Sequence, residues 1–143
     1  ALLEQFQYFV GNTDYSLLRS PDPGECCHNA KLLSGENHYA PIIYDFDASG
    51  LVNTSYSAPP PQFKISTVLT RLFRGHCQEQ TALQGAREQI LGAKEEILAM
   101  VASDPELSRS GIRRALRYTK ASFAHFEKDK TWTKNIVNAC REI

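Results

Sequence analysis

The sequence predicts a mainly α domain with a small β-hairpin, an α+β class, and three observations carry that reading. The 143 residues give room for one domain with one sizeable core. From Phe63 onward nearly every residue is a helix former, with Pro105 the only proline. Before that point the chain is rich in Gly, Pro, Asn, Asp and Tyr, and two short apolar runs flank a turn. The expected organisation is a single domain over 1–143, with loops and hairpin in 1–61 and a helical subdomain in 62–143.

Charge and composition exclude several classes. Lys and Arg total 16 against 16 Asp and Glu, a net charge of zero. A chain that holds a phosphate backbone normally carries an excess of Lys and Arg, so nucleic acid is not an expected partner. No apolar run approaches the roughly 18–20 residues of a membrane span. The opening Ala1-Leu2-Leu3-Glu4-Gln5-Phe6 lacks a start Met and a basic flank, and reads as a start partway along a longer protein.

Each element follows from local pattern. Residues 2–10 read as the last turns of a helix that Gly11 stops. Ser20-Pro21-Asp22-Pro23-Gly24 is a turn cluster. Ala30-Lys31-Leu32-Leu33 reads as a strand, 34–37 as a turn, and 39–46 as the returning strand, with Pro41 near its start. Ala58-Pro59-Pro60-Pro61 is a stiff connector. Leu83, Ala86, Ile90, Ile97 and Val101 recur at helical intervals, widened by Leu91 and Leu98. Ser103-Asp104-Pro105-Glu106 carries two overlapping helix-start signals, a capping box and an Asp cap before a first-turn proline. Ile112, Leu116, Phe123 and Phe126 mark the buried face of the helix that follows. Trp132, Ile136 and Cys140 mark that of a last one.

The cysteines leave alternatives open. A disulfide from Cys26 or Cys27 to Cys77, free packed thiols, and a soft-metal site drawing on His28 and His76 all fit their placement. The disulfide would imply an oxidising, extracytoplasmic compartment. His28, His38, His76 and His125 do not share metal-ligand spacing on one element, and no Gly-x-Ser-x-Gly elbow is present. Arg71 and Arg74 can reach a phosphate or the acidic cluster, or form salt bridges.

The polar constellation lies in the first half, in Gly11-Asn12-Thr13-Asp14, His28-Asn29 and Tyr44-Asp45-Phe46-Asp47. Singly these read as cap and turn residues. In order they give a helix, a loop Asp, an Asn at a strand entry, a hairpin and an Asp at its end. That is the layout of a catalytic loop and metal loop in phosphoryl transfer. Gly-Asn-Thr-Asp followed by that Asn and by Ala40-Pro41-Ile42-Ile43-Tyr44-Asp45 resembles the atypical bacterial kinases of the HipA type and the spore-coat CotH type. The resemblance covers roughly residues 8–50.

It implies the C-terminal lobe of a protein-kinase-like fold and a magnesium-dependent ATP phosphotransferase with an unknown acceptor. Carried over residue by residue, Asp14 is the catalytic-loop Asp, and Asn29 and Asp45 are metal ligands, with Asp47 a second or alternative ligand. Asp14 and Asn29 are 29 − 14 = 15 residues apart where the family has only a few, which makes 19–27 a looped insertion. Asp47 stands where protein kinases have Gly. No glycine-rich phosphate loop or strand Lys precedes the motif, so an N-terminal lobe of the same protein is an expected partner. Asp14, Asn29 and Asp45 are then expected to converge, and Tyr44, Phe46 and Leu51 to present an apolar surface to that lobe. The competing expectations are a non-catalytic kinase-like module that binds a nucleotide or partner, and a helical protein-interaction domain.

Overall fold

The computed structural model describes residues 1–19, 26–36 and 39–142. Helix α1 (Leu2–Val10) ends where Gly11 takes a left-handed backbone, with Gly11 N–H donating to Tyr8 O and Asn12 N–H to Gln7 O. This pair of reversed bonds closes the helix and turns the chain sharply. Only glycine fits at 11, because an added Cβ would collide with the Tyr118 hydroxyl.

Strands β1 (Ala30–Ser34) and β2 (Tyr39–Ile43) pair antiparallel, with Ala30 opposite Ile43 and Ser34 opposite Tyr39. The second strand ends three residues before the expected Phe46. The pairing runs one bond further, from Tyr44 N–H to Asn29 O, and then Asp45 turns away with a left-handed backbone (φ 61°). The hairpin is solvated on both faces, leaving Leu32, Leu33, Tyr39 and Ile42 exposed. The Ser20–Gly24 turn cluster, the last residue of the 34–37 turn and His38 lie outside the described residues.

The helical part begins later than the composition predicts. Residues 44–79 contain no regular helix, and α2 (Gln80–Gly92) and α3 (Lys94–Ala102) follow. The stretch at 63–79 is held instead by its anchors. Val68 and Phe73 are buried, and the chain around Gly75 pairs with the C-terminal segment through Arg141 N–H to Gly75 O and Cys77 N–H to Arg141 O. Helix α4 (Arg109–Glu127) starts at Ser108, whose Oγ accepts from Gly111 N–H at 3.1 Å, and not at 103–106. Both expected caps are spent elsewhere. Ser103 Oγ donates back to Ala99 O in the last turn of α3, and Asp104 Oδ1 accepts from Glu106 N–H within a tight turn. A short α5 (Asp129–Trp132) continues as a π-helical turn (Thr133–Val137).

The core gathers Tyr8, Phe9 and Val10 of α1, Phe73, Leu83 and Ile90, Phe123 and Phe126 of α4, and Trp132 with Ile136. Phe9 meets Phe123 edge-on at 4.8 Å between ring centres. Phe46 and Leu51, expected as exposed surface, pack against this core, and only Tyr44 of that trio is exposed. The cysteine pairing differs from expectation as well. Cys77 bonds to Cys140, their Cα atoms 4.8 Å apart, while Cys26 and Cys27 bond to each other. The C-terminal segment lies alongside Cys77. Among the described residues no helix is long and apolar enough to cross a membrane.

Candidate functional site

The reversed turn after α1 delivers Asn12, whose Oδ1 accepts from Asp14 N–H at 2.9 Å. That side-chain-to-backbone turn fixes the loop so that Asp14 is half-exposed beside buried Thr13 and Tyr15. Two residues on, Ser16 and His28 exchange backbone hydrogen bonds of 2.9 Å in each direction. The chain therefore leaves at Ser16 and returns at His28 to the same place, and the 15-residue separation of Asp14 and Asn29 closes to direct contact. The insertion is pinned by this bridge, not by a disulfide to Cys77.

Asn29 Nδ2 donates to Asp14 O at 2.8 Å and to Asp14 Oδ2 at 3.2 Å. His28 Nε2 lies 2.9 Å from Asp14 Oδ1, within hydrogen-bond distance. Both oxygens of Asp14 are thus oriented. Asn29, like Asp45, has a left-handed backbone, at φ 49°. Asn and Asp tolerate that region best among residues with a side chain, and their use at the two ends of the hairpin aims both side chains out of the strand ladder.

The loop after Asp45 folds back onto the end of α1, with Gly50 N–H donating to Gly11 O and Leu51 N–H to Val10 O. Asp14 and Asp45 thereby stand on segments stitched to the same helix end. The Asp45 carboxyl is held above its ordinary range, first by hydrogen bonding with the Asp47 side chain, then by slight desolvation, with the charges of Asp47 and Asp14 adding. Asp47 O is in turn held by Thr54 Oγ1 and Ser57 Oγ.

The polar side chains of the three segments are oxygen donors: the carboxylates of Asp14, Asp45 and Asp47 and the amide oxygen of Asn29, whose nitrogen is spent on Asp14. Oxygen donors are the chemistry that magnesium takes, with water and phosphate in its other positions, and not that of a soft metal. Among the described residues no three His, Cys, Asp or Glu side chains group to hold a metal by themselves.

Two residues act here in ways the sequence did not indicate. His28, considered only as a metal ligand, orients Asp14. Arg74, expected to meet an acid or a phosphate, donates from Nη1 to Thr13 O and Tyr15 O on either side of Asp14, with its guanidinium 4.5 Å from the Phe63 ring centre. Among the described residues Arg71 likewise makes no salt bridge. It donates to Tyr118 O at 2.8 Å and to Ser122 Oγ, and stacks 3.8 Å from the Tyr118 ring centre. Lys31 is exposed beside Tyr44, and His76 pairs with buried Glu4 at 2.9 Å. Comparison with protein-family models, with curated proteins and with solved structures gives no match to this chain.

Proposed function

We propose that this chain is the catalytic lobe of an atypical, kinase-like phosphotransferase that moves the terminal phosphoryl of ATP to a hydroxyl acceptor. The observation that supports it most is the hydrogen-bonded Asp14–Asn29 pair, closed across the insertion by the Ser16–His28 bridge and flanked by the Asp45–Asp47 loop. A turn residue has no need of such a device.

In this reading the Asp14 carboxylate orients the acceptor hydroxyl and takes its proton. The acceptor oxygen forms the new bond to phosphorus, and the bond from that phosphorus to the bridging oxygen breaks, ADP leaving with the electron pair. His28 and Asn29 hold the carboxylate in one orientation, which lowers the entropy cost of that alignment. Asn29, Asp45 and Asp47 would hold magnesium, which when bound supplies positive charge to the transferring phosphates. The clamp for the rest of the nucleotide belongs, in this reading, to an N-terminal lobe of the same protein.

The test is phosphoryl transfer from labelled ATP by the full-length protein in magnesium, with Asp14→Asn and Asp45→Ala beside it. Each substitution is expected to lower turnover by about 100-fold or more. Turnover that survives Asp45→Ala overturns the reading. Absence of turnover with intact nucleotide binding favours the non-catalytic module.

A further inference from the structure

Beside Asp14 opens a cleft of about 630 Å³, lined by Asp14, Arg19, His28, Arg74, Arg141 and Glu142 among others. Its volume is that of a small-molecule site. The lining includes the proton acceptor of the proposed reaction but none of Asn29, Asp45 and Asp47.

Its charge pattern is uneven. Arg74 and Arg141 stand close enough to repel, and the Arg74 guanidinium is brought below its ordinary pKa first by burial and then by Arg141, with Tyr15 and Asp14 acting the other way. Arg74 donates only to neutral carbonyls, and Arg141 Nη2 donates to Arg74 O. Arg19 is exposed on the same wall. Among the described residues none of these guanidiniums forms a salt bridge with a carboxylate. Among the described residues Glu142 and Asp14 are the acids of the cleft, and Asp14 is already occupied by His28 and Asn29. Among the described residues of the cleft three cations face two carboxylates, an excess that suits an anion, and a planar guanidinium is suited to phosphate or carboxylate.

We propose that this cleft receives the acceptor, and that the acceptor is a hydroxyl compound carrying an anionic group, which Arg141 and Arg19 hold while its hydroxyl faces Asp14. The proposal rests on the phosphotransferase reading for the word acceptor, and on the cleft alone for the anion.

Glycerol 3-phosphate is the probe, with glycerol as its neutral counterpart, titrated calorimetrically into the full-length protein with and without magnesium and ATP. Saturable binding of the phosphate ester and none of glycerol is expected. Affinity should fall about tenfold in Arg141→Ala and several-fold in Arg19→Ala, with binding undiminished when ATP is present. The second variant lies on an exposed side chain, so it separates loss of the site from loss of the fold. Equal binding of glycerol, or indifference to both substitutions, overturns the proposal. Displacement by ATP overturns it too, since the cleft would then hold the donor phosphates. Transfer measured on the same preparation keeps the two ideas apart. Anion binding without transfer sinks the phosphotransferase and leaves the anion site, whereas transfer without anion binding does the reverse.

Discussion

Arg74 brings a positive charge to the back of the loop that carries Asp14 and spends it on two backbone carbonyls, those of Thr13 and Tyr15. Hydrogen bonds from a charged donor are worth about 1.5–3 kcal/mol each, and a ring stacked on the guanidinium adds about 0.5–1 kcal/mol. A lysine reaches one carbonyl at most and has no planar face. Arg74→Lys should therefore lower unfolding free energy by about 2 kcal/mol in urea titration and, in the proposed phosphotransferase reading, should lower kcat more than the KM for ATP because Asp14 loses its frame. A second residue-scale expectation concerns His125, whose Nδ1 lies 2.7 Å from the Tyr8 hydroxyl. Tyr8 is pushed up to about 12, chiefly by burial, so it stays protonated and donates to that nitrogen. His125 is held below its ordinary value of 6.5 by burial first and then by the charges of Arg71 and Lys128. A lowered folded value means the native state binds the proton less well than the unfolded chain. The stabilisation is present above about pH 6.5 and is lost as pH falls through the folded value. The urea midpoint measured from pH 8 to pH 5 should decline on the acid side in the wild type, and Asn in place of His125 should flatten that decline.

At the scale of elements, α1 is held by polar groups at its core. Gln5 is fully buried, its Nε2 donating to Leu83 O in α2 and its Oε1 accepting from Trp132 Nε1 in α5. Gln5→Leu keeps the volume and strands both partners, at about 1–3 kcal/mol for each unpaired group. The expected loss of about 2–4 kcal/mol is read from the midpoint of chemical unfolding, and negligible loss would show that the two partners find water. This arrangement also shows what could be read from sequence. The stop at Gly11 and the hairpin were legible, because a left-handed glycine and alternate apolar runs are local signals. The stripes through Leu83, Ile90, Phe123 and Phe126 were legible for the same reason. The start of α4 was not, because Ser103 and Asp104 satisfy backbone groups on their own side of the turn and leave the capping to Ser108. The irregular path of 63–79 was hidden as well, since it is set by Phe73, Arg71 and the pairing with Arg141, partners between roughly 50 and 70 positions away or in the core. Asp14, Asn29 and Asp45 stood out by order and residue type, whereas the roles of His28, Arg74 and Arg141 depend on contacts that no spacing encodes.

For the molecule as a whole, the Asp45 carboxyl is held above its ordinary range chiefly by its hydrogen bond with the Asp47 side chain. Its raised carboxyl value means that the contribution to stability is full below about pH 3.8 and is lost as pH rises through the folded value. At neutral pH a divalent cation should relieve the repulsion among Asp45, Asp47 and Asp14. Magnesium is therefore expected to raise Tm in the wild type and to do so less in Asp45→Asn, a readout that needs no activity. An equal rise in both would remove Asp45 from the ligand set.

The Cys77–Cys140 bond has a sequence separation of 63 and encloses α2, α3, α4 and α5 in one covalent ring. In the chain-entropy account a ring of that size stabilises by about 4 kcal/mol. It also changes what a cut does. A protease that nicks the turn between α3 and α4 opens the ring without dividing the protein, so both pieces migrate together on a denaturing gel until a reductant is added. The helical half can thus be severed in sequence and remain one molecule.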